Sequence, residues 1–353
     1  MSLTPHERFV GVLLGTAVGD SLGLPAEGLS PECIRRRWKG KWKHRLVLGK
    51  GMLSDDTEHT LMVAQALLAQ PEDAVAFQRA LAWKFRWWLV GLPGGVGKAT
   101  AKACIKLWAG VPATRSAVTS AGSGPAMRSA ILGAFFAGEP ERRHKFVMAS
   151  SRLTHQSWQA ETAALAVAEV VALTFEEQCL PAAQKVISAL RTLSTEAEWQ
   201  TLLSQTHASI TDGASVSCFV ESLGMKKGVS GYSLHVVGVA LYACLRHAND
   251  FRTTLTTVLD CGGDTDTAGA IAGAVAGAAL GKAEIPAEWL RGILEWPRSP
   301  EFIERLAERL AAQKNEQQPL GALLYFWPAL IPRNVAFIFI VLTHGLRRLF
   351  PPY

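Results

Sequence analysis

Two acidic clusters carry the chemistry this chain could do. Residues 54–57 read Ser-Asp-Asp-Thr, adjacent carboxylates flanked by hydroxyls, directly before an apolar-periodic run. Hard oxygen donors of this kind suit Mg²⁺, Mn²⁺ or Ca²⁺. The same four residues also read as an ordinary helix start, with a capping Ser or Asp and acids facing the dipole. Residues 262–267, Gly-Gly-Asp-Thr-Asp-Thr, repeat the pattern, with Asp264 and Asp266 two apart at the start of another helical run. One local capping feature cannot explain two clusters about 200 positions apart. Together they point to a site with one or two metals, assembled in space.

Single residues say less on their own. Glu27, in the stretch GDSLGLPAEG (19–28), is a glutamate beside a glycine. His155, in Leu-Thr-His, reads in isolation as a structural histidine. Gly94-Gly95-Val96-Gly97-Lys98 looks like the end of a P-loop, but that motif needs Gly where Leu92 stands and Ser or Thr where Ala99 stands. The glycine loop can still meet a phosphate through its backbone amides. No GxSxG supports a serine nucleophile. The run 35–45 (RRRWKGKWKHR) joins positive charge to Trp38 and Trp42. That is the composition of a single-stranded nucleic-acid surface and, more commonly, of a solvated loop whose tryptophans pack locally.

The elements that must hold these residues are helices. Apolar residues recur every three or four positions over 60–70, 74–90, 161–173 and 234–246, and alternating strand-like runs are scarce. The expected class is all-α. Glycine and proline cluster at 91–97, 110–112, 122–125 and 224–231, marking loops, and no long-period repeat suggests a solenoid. Gly269, Gly273, Gly277 and Gly281 recur every fourth position, a smooth face that lets another backbone come very close. The apolar part, 268–280, is too short to span a bilayer, so it reads as a buried central helix presenting carboxylates at its N-terminus.

With 353 residues, 49% hydrophobic and 19% charged, the chain can build a core without disulfides or metals. Its six cysteines form no CxxC pair, which excludes a zinc ribbon or thioredoxin-type motif and fits free thiols in a reducing compartment. A net charge of +6 does not by itself signal nucleic acid. The polar start, MSLTPHERF, lacks the apolar core of a signal peptide, so a cytoplasmic location is expected.

Taken in order, several blocks resemble the ADP-ribosylglycohydrolase family, which includes the dinitrogenase reductase-activating glycohydrolases. They are GVLLGTAVGDSLGLPAEG (11–28), SDDT (54–57), GGVGKAT (94–100), GSGPAMRSA (122–130), LTH (153–155) and GGDTDTAGAIAGAVAGAALG (262–281). The resemblance runs over about residues 8 to 285. It implies an all-α multi-helix fold with a dinuclear Mg²⁺ or Mn²⁺ cleft. By matching position, Ser54, Asp55, Asp56, Asp264, Asp266 and Thr267 would be the metal ligands. Glu27 matches a glutamate near the reactive ribose, and the implied catalytic residues are Glu27, Asp55 and Asp266. Gly94, Gly95, Gly97, Gly122, Ser123 and Gly124 would lie along the ribose and pyrophosphate, with His155 near the ligand. Ser123 stands where many members have Asn, Pro125 replaces a common Gly, and no aromatic precedes Gly122.

The implied activity is removal of ADP-ribose from a protein, nucleic acid or small molecule by cleavage at ribose C1. The alternative is a non-catalytic ADP-ribose-binding or structural relative, which loss of the ligand carboxylates would favour. Here all four aspartates and Glu27 stand. The resemblance suggests a catalytic domain over 1–300, a helix end and polar linker over 301–319, and an apolar tail over 320–353. In that tail Pro328 and Pro332 interrupt any single helix, and the longest clean run, 335–342, falls short of the roughly 20 residues that a spanning helix needs. Two placements remain open. The tail packs on the body or on a partner subunit, or it lies in a membrane interface with Phe326, Trp327, Phe337 and Phe339 inserted and Arg347 and Arg348 near anionic headgroups. Monomer and dimer both remain open.

Overall fold

The computed structural model describes residues 3–350. Thr4 caps the first helix, Pro5–Gly23, through a reciprocal bond with Glu7, and Pro5 occupies the first turn, where an amide has no helical partner. From Arg8 onward every residue of this helix is buried, so it has no solvent face. It is long and apolar enough to cross a membrane, but its complete burial marks it as core.

Its partner is the helix Thr265–Leu280. The two run antiparallel, Gly11 against Gly277, Gly15 against Gly273 and Gly19 against Gly269. A Cβ on Gly15 would stand 2.0 Å from the Gly273 carbonyl oxygen, and one on Gly273 would stand 2.1 Å from that of Gly15. Backbone meets backbone here, which only glycine permits. The expected ridge is therefore real for three of its four glycines. Gly281 instead ends the helix at φ +74° and faces Leu3. The first helix supplies the matching ridge, a spacing that the sequence reading did not use.

The periodic windows fall within Asp55–Ala69, Ala74–Val90, Trp158–Glu177 and Ser233–Arg246, except that Gln70, the last residue of the first, is already the non-helical cap. Among the described residues no strand forms, only isolated bridges. The helices share one core that includes Phe9, Phe85, Trp199 and Trp289. The stretch expected as a helix end and linker opens instead with a core helix, Pro300–Gln313, which Ser299 caps and which buries Phe302, Ile303, Leu306 and Leu310.

Two local expectations of the tail change. The tail forms one helix, Leu330–Arg347, because Pro332 falls in its first turn, where a missing N–H costs nothing. With the preceding turn, Trp327–Arg347 is long and apolar enough to cross a membrane by length, and 28% of it is buried. Phe337 is not free for a lipid: it packs with Leu24, Leu46 and Met52. Trp38 and Trp42 are buried against each other, centroids 5.1 Å apart, with the Arg45 guanidinium 4.8 Å over Trp38. Neither ring is exposed to stack on a base, so the local-packing reading of the basic run holds.

Candidate active site

Ser54 caps Asp55–Ala69, its Oγ accepting from the Asp56 amide. Asp20, in the last turn of the first helix, accepts from the amides of Ser54 (2.9 Å) and Thr57 (3.2 Å) and from the Thr57 hydroxyl. A carboxylate on the glycine-packed pair thus holds the free amides that open the second helix. Asp20 was not among the expected site residues. The usable signal was a single acid in the apolar stretch that follows Arg8, which must find partners when buried.

The second cluster is aimed by its loop. Gly262 (φ +68°) and Gly263 (φ +79°) adopt left-handed backbone, and a Cβ on Gly263 would lie 2.0 Å from the Val229 oxygen. The Gly28 amide donates to Gly263 O (2.7 Å), Gly263 N to Leu29 O (2.9 Å) and Asp264 N to Val229 O (2.8 Å). These bonds tie the loop carrying Glu27 to the one carrying Asp264.

The two clusters meet. Thr267 Oγ1 donates to Asp56 Oδ2 (3.4 Å), which also accepts from Ser54 Oγ (3.2 Å). Asp56 Oδ1 is buried with no hydrogen-bond partner. Ser123 Oγ donates to Asp264 Oδ2 (3.4 Å), and the open side of Gly95 lies against Asp55 Oδ1, 3.7 Å from a Cβ placed there.

Crowding of acids sets the electrostatics. Burial, and then neighbouring carboxylates, hold Asp55, Asp56 and Asp266 well above the usual carboxylate range. The neighbours are Asp20 and Glu58 for Asp55, Asp55 and Asp20 for Asp56, and Glu27 and Asp56 for Asp266. Burial pushes Asp20 up to about 6 against the hydrogen bonds that lower it. Glu27 lies exposed at the mouth, yet the walls around its carboxyl and the Asp264 charge raise it, with Arg348 opposing. Such a group of acids must hold protons or meet a cation. Carboxylate and hydroxyl oxygens, with Asp56 Oδ1 unpartnered, are the donor set of a hard divalent ion. Among the described residues no three His, Cys, Asp or Glu side chains converge on one ion position.

The model of the ADP-ribosylglycohydrolase family matches residues 1–320. The chain belongs to this family. It is 34% identical over 318 residues to a protein of Archaeoglobus fulgidus described only as uncharacterized, covering 86% of this chain and 96% of that one. It is 27% identical over 293 residues to the ADP-ribosyl-[dinitrogen reductase] glycohydrolase of Rhodospirillum rubrum, covering 81% and 90%. A solved structure titled an ADP-ribosylglycohydrolase-related protein complex superposes with a TM-score of 0.67 at 26% identity, covering 88% of this chain and 99% of that one. ADP-ribosylglycohydrolases are in general metal-dependent hydrolases acting on ADP-ribosylated substrates.

The remaining site candidates of this family member divide. Gly122 and Gly124 lie against the His155 ring, a Cβ on them standing 3.2 Å from Nε2 and 3.0 Å from Cε1. His155 Nδ1 bonds Thr154 Oγ1 (2.8 Å), which accepts from Arg128 (2.7 Å). Burial, aided by Arg128, depresses His155 to about 3, so the ring is neutral. Gly94 faces the tail helix, 2.8 Å from Phe337 for a Cβ, and Gly97 opens the helix Lys98–Trp108, facing Thr100.

Behind Asp55 and Asp56 lies an ion network that the sequence reading missed. Glu58 pairs with Arg298 and with Arg333 (3.3 Å) and accepts from Trp88 Nε1 (2.5 Å). Burial raises Glu58, but the two arginines outweigh it and hold the carboxyl below its usual range. Arg333 also grips Glu295 (2.8 and 2.5 Å) and Leu53 O (2.6 Å). These partners come from distant segments, so no local pattern could reveal them. Arg333 lies beyond the residues that the family model matches, yet it braces the helix that presents Asp55 and Asp56.

Proposed function

We propose that this chain is a divalent-metal-dependent hydrolase that releases ADP-ribose from a modified protein, nucleic acid or small molecule by cleaving the bond at ribose C1. The observation that carries this reading is the joining of Asp56 to Thr267, which unites the two acidic clusters around a buried, unpartnered carboxylate oxygen. Ser54, Asp55, Asp56, Asp264, Asp266 and Thr267 would hold one or two ions, Mg²⁺ or Mn²⁺. When bound, these ions supply positive charge to ribose hydroxyls and make a nearby water more acidic.

The chain's own residues do the rest. Glu27, with its raised proton affinity, accepts a proton from the attacking water. The water oxygen bonds to C1, the bond from C1 to the departing nitrogen or oxygen breaks with its electron pair, and that group takes up a proton. Backbone amides of the 95–97 and 123–124 segments would meet the pyrophosphate, while Gly94 packs on Phe337 and the Gly122 amide donates to Ser120 Oγ (3.3 Å). Thr154 accepts from Arg128 and keeps its own proton for His155 Nδ1, leaving Nε2–H to donate toward the ligand. We place the chain in the cytoplasm, where its free cysteines stay reduced.

The test is incubation with ADP-ribosyl-arginine, ADP-ribosyl-serine, ADP-ribosylated DNA and ADP-ribose-1″-phosphate, with Mg²⁺, with Mn²⁺ and with chelator. ADP-ribose should appear from at least one substrate in a metal-dependent way. Asp55→Ala/Asp56→Ala and Asp264→Ala/Asp266→Ala should abolish its release while the protein stays helical. Turnover in chelator, or an active double variant, overturns the reading.

A further inference from the structure

The tail helix has two different faces. Arg333, Asn334 and Phe337 bind it to the body, while Ile331, Val335, Phe339, Leu342 and Leu346 recur on the opposite side with exposures from 38 to 72%. The stripe continues through exposed Leu349 and Phe350. Beside it stands a turn whose tip, Leu48, is 99% exposed and has φ +48°. A leucine in left-handed backbone is costly, and here no packing within the protein offsets it. A cavity of 690 Å³ joins the two features: Lys43, Arg45, Leu48, Phe339, Thr343 and Arg347 line it. Neither 33–53 nor 320–350 contains an Asp or Glu.

We propose that this face, the outer stripe of the tail helix with the Leu48 turn and its basic rim, docks on an anionic lipid surface. The inference is independent of the hydrolase reading. An apolar stripe lying flat and flanked by Lys and Arg is the arrangement that enters the headgroup boundary of an acidic bilayer. The inner face is fixed to the protein by Arg333 and Asn334, so the helix lies along the surface and does not span. A second copy apposed through this face would bring no carboxylate to meet the basic rim. A nucleic acid would leave the Leu and Phe stripe unused, and Trp38 and Trp42 are buried away from any base.

The experiment is flotation of the full-length protein with phosphatidylcholine vesicles and with vesicles containing about 30% phosphatidylglycerol. Binding should occur only to the anionic vesicles and weaken at high salt. Phe339→Asp/Leu342→Asp and Lys43→Glu/Arg347→Glu should each reduce binding about tenfold or more, with melting temperature and hydrolysis retained. Leu48→Gly separates docking from folding: it relieves the left-handed backbone, so it should stabilise the free protein while weakening its hold on vesicles. Failure of the intact protein to bind anionic vesicles at low salt overturns the proposal. So does undiminished binding by these variants, or a solution dimer that Phe339→Asp/Leu342→Asp dissolves.

Discussion

Replacing Gly273 by alanine sets two effects of opposite sign against each other. Alanine is a better helix former than glycine by about 1 kcal/mol, which favours the variant. Against that, the new Cβ would stand 2.1 Å from the Gly15 carbonyl oxygen, where ordinary contact begins at 3.4 Å. The obstacle is backbone, so no side chain can swing aside, and the two helices must part by about 1.3 Å locally. A gap of ~0.5–1 Å already forfeits a quarter to a half of the dispersion energy across a contact. Overpacking typically costs ~1–3 kcal/mol, and loss of contact along the flanking Gly11–Gly277 and Gly19–Gly269 pairs adds to it. The clash therefore wins, with a net loss of about 2–4 kcal/mol, or a Tm lower by roughly 3–5 °C for a chain of this size. The same displacement reaches Asp264 and Asp266 at the helix start, where a misplacement of about 1 Å costs on the order of 10²-fold in turnover. Thermal melting at 222 nm and ADP-ribose release measure both. Gly345→Ala is the internal control, because nothing lies within 4 Å of its Cβ position and only the propensity gain should remain. A Gly273→Ala protein that melts at or above the parent and turns over fully would refute the reasoning.

Glu27→Gln keeps size and polarity but removes the proton acceptor, so kcat should fall ~10²–10⁴-fold with ADP-ribose affinity nearly unchanged; normal turnover would reduce Glu27 to a positioning role. Arg333→Met leaves Glu295 and part of Glu58 buried without a charge partner, so about 3–5 kcal/mol of stability should be lost in a denaturant titration, and an unchanged midpoint would contradict the network. Because Asp20 is raised to about 6, with Asp55, Asp56 and Asp266 above their usual range, metal-free protein should lose stability as pH rises from about 4 through these folded-state values. Mg²⁺ should therefore raise the melting temperature more at pH 7.5 than at pH 5, and an equal rise at both would argue against cation neutralisation of the acids.

What the sequence made legible was local. The helix windows, the two acidic starts and the glycine spacing of 269–277 depend on neighbours within one turn or two, and spacing alone expresses them. Asp20 escaped because its partners, Ser54 and Thr57, sit on another helix, although a buried acid on an apolar helix demanded some partner. Glu58, Arg298 and Arg333 escaped for the same reason, since each reads as a surface charge until the chain folds. The tail was misjudged by treating Pro332 as a helix breaker, when proline in a first turn breaks nothing. His155 was readable only through the resemblance; its neutral state follows from Arg128 and burial, which no local pattern announces.

The glycine seam also fixes when this protein can become itself. Its pairs, from Gly19–Gly269 to Gly11–Gly277, join positions 250 to 266 residues apart. At ~5–20 residues per second of synthesis, the first helix waits on the order of 13–50 s for its partner to leave the ribosome. Throughout that wait the Gly11, Gly15 and Gly19 face, buried in the finished protein, lacks the backbone it packs against, although other partners such as Asp55–Ala69 are already made. The two halves of the seam are thus made far apart in time, so the small-residue face of Pro5–Gly23 stays open until Thr265–Leu280 follows it.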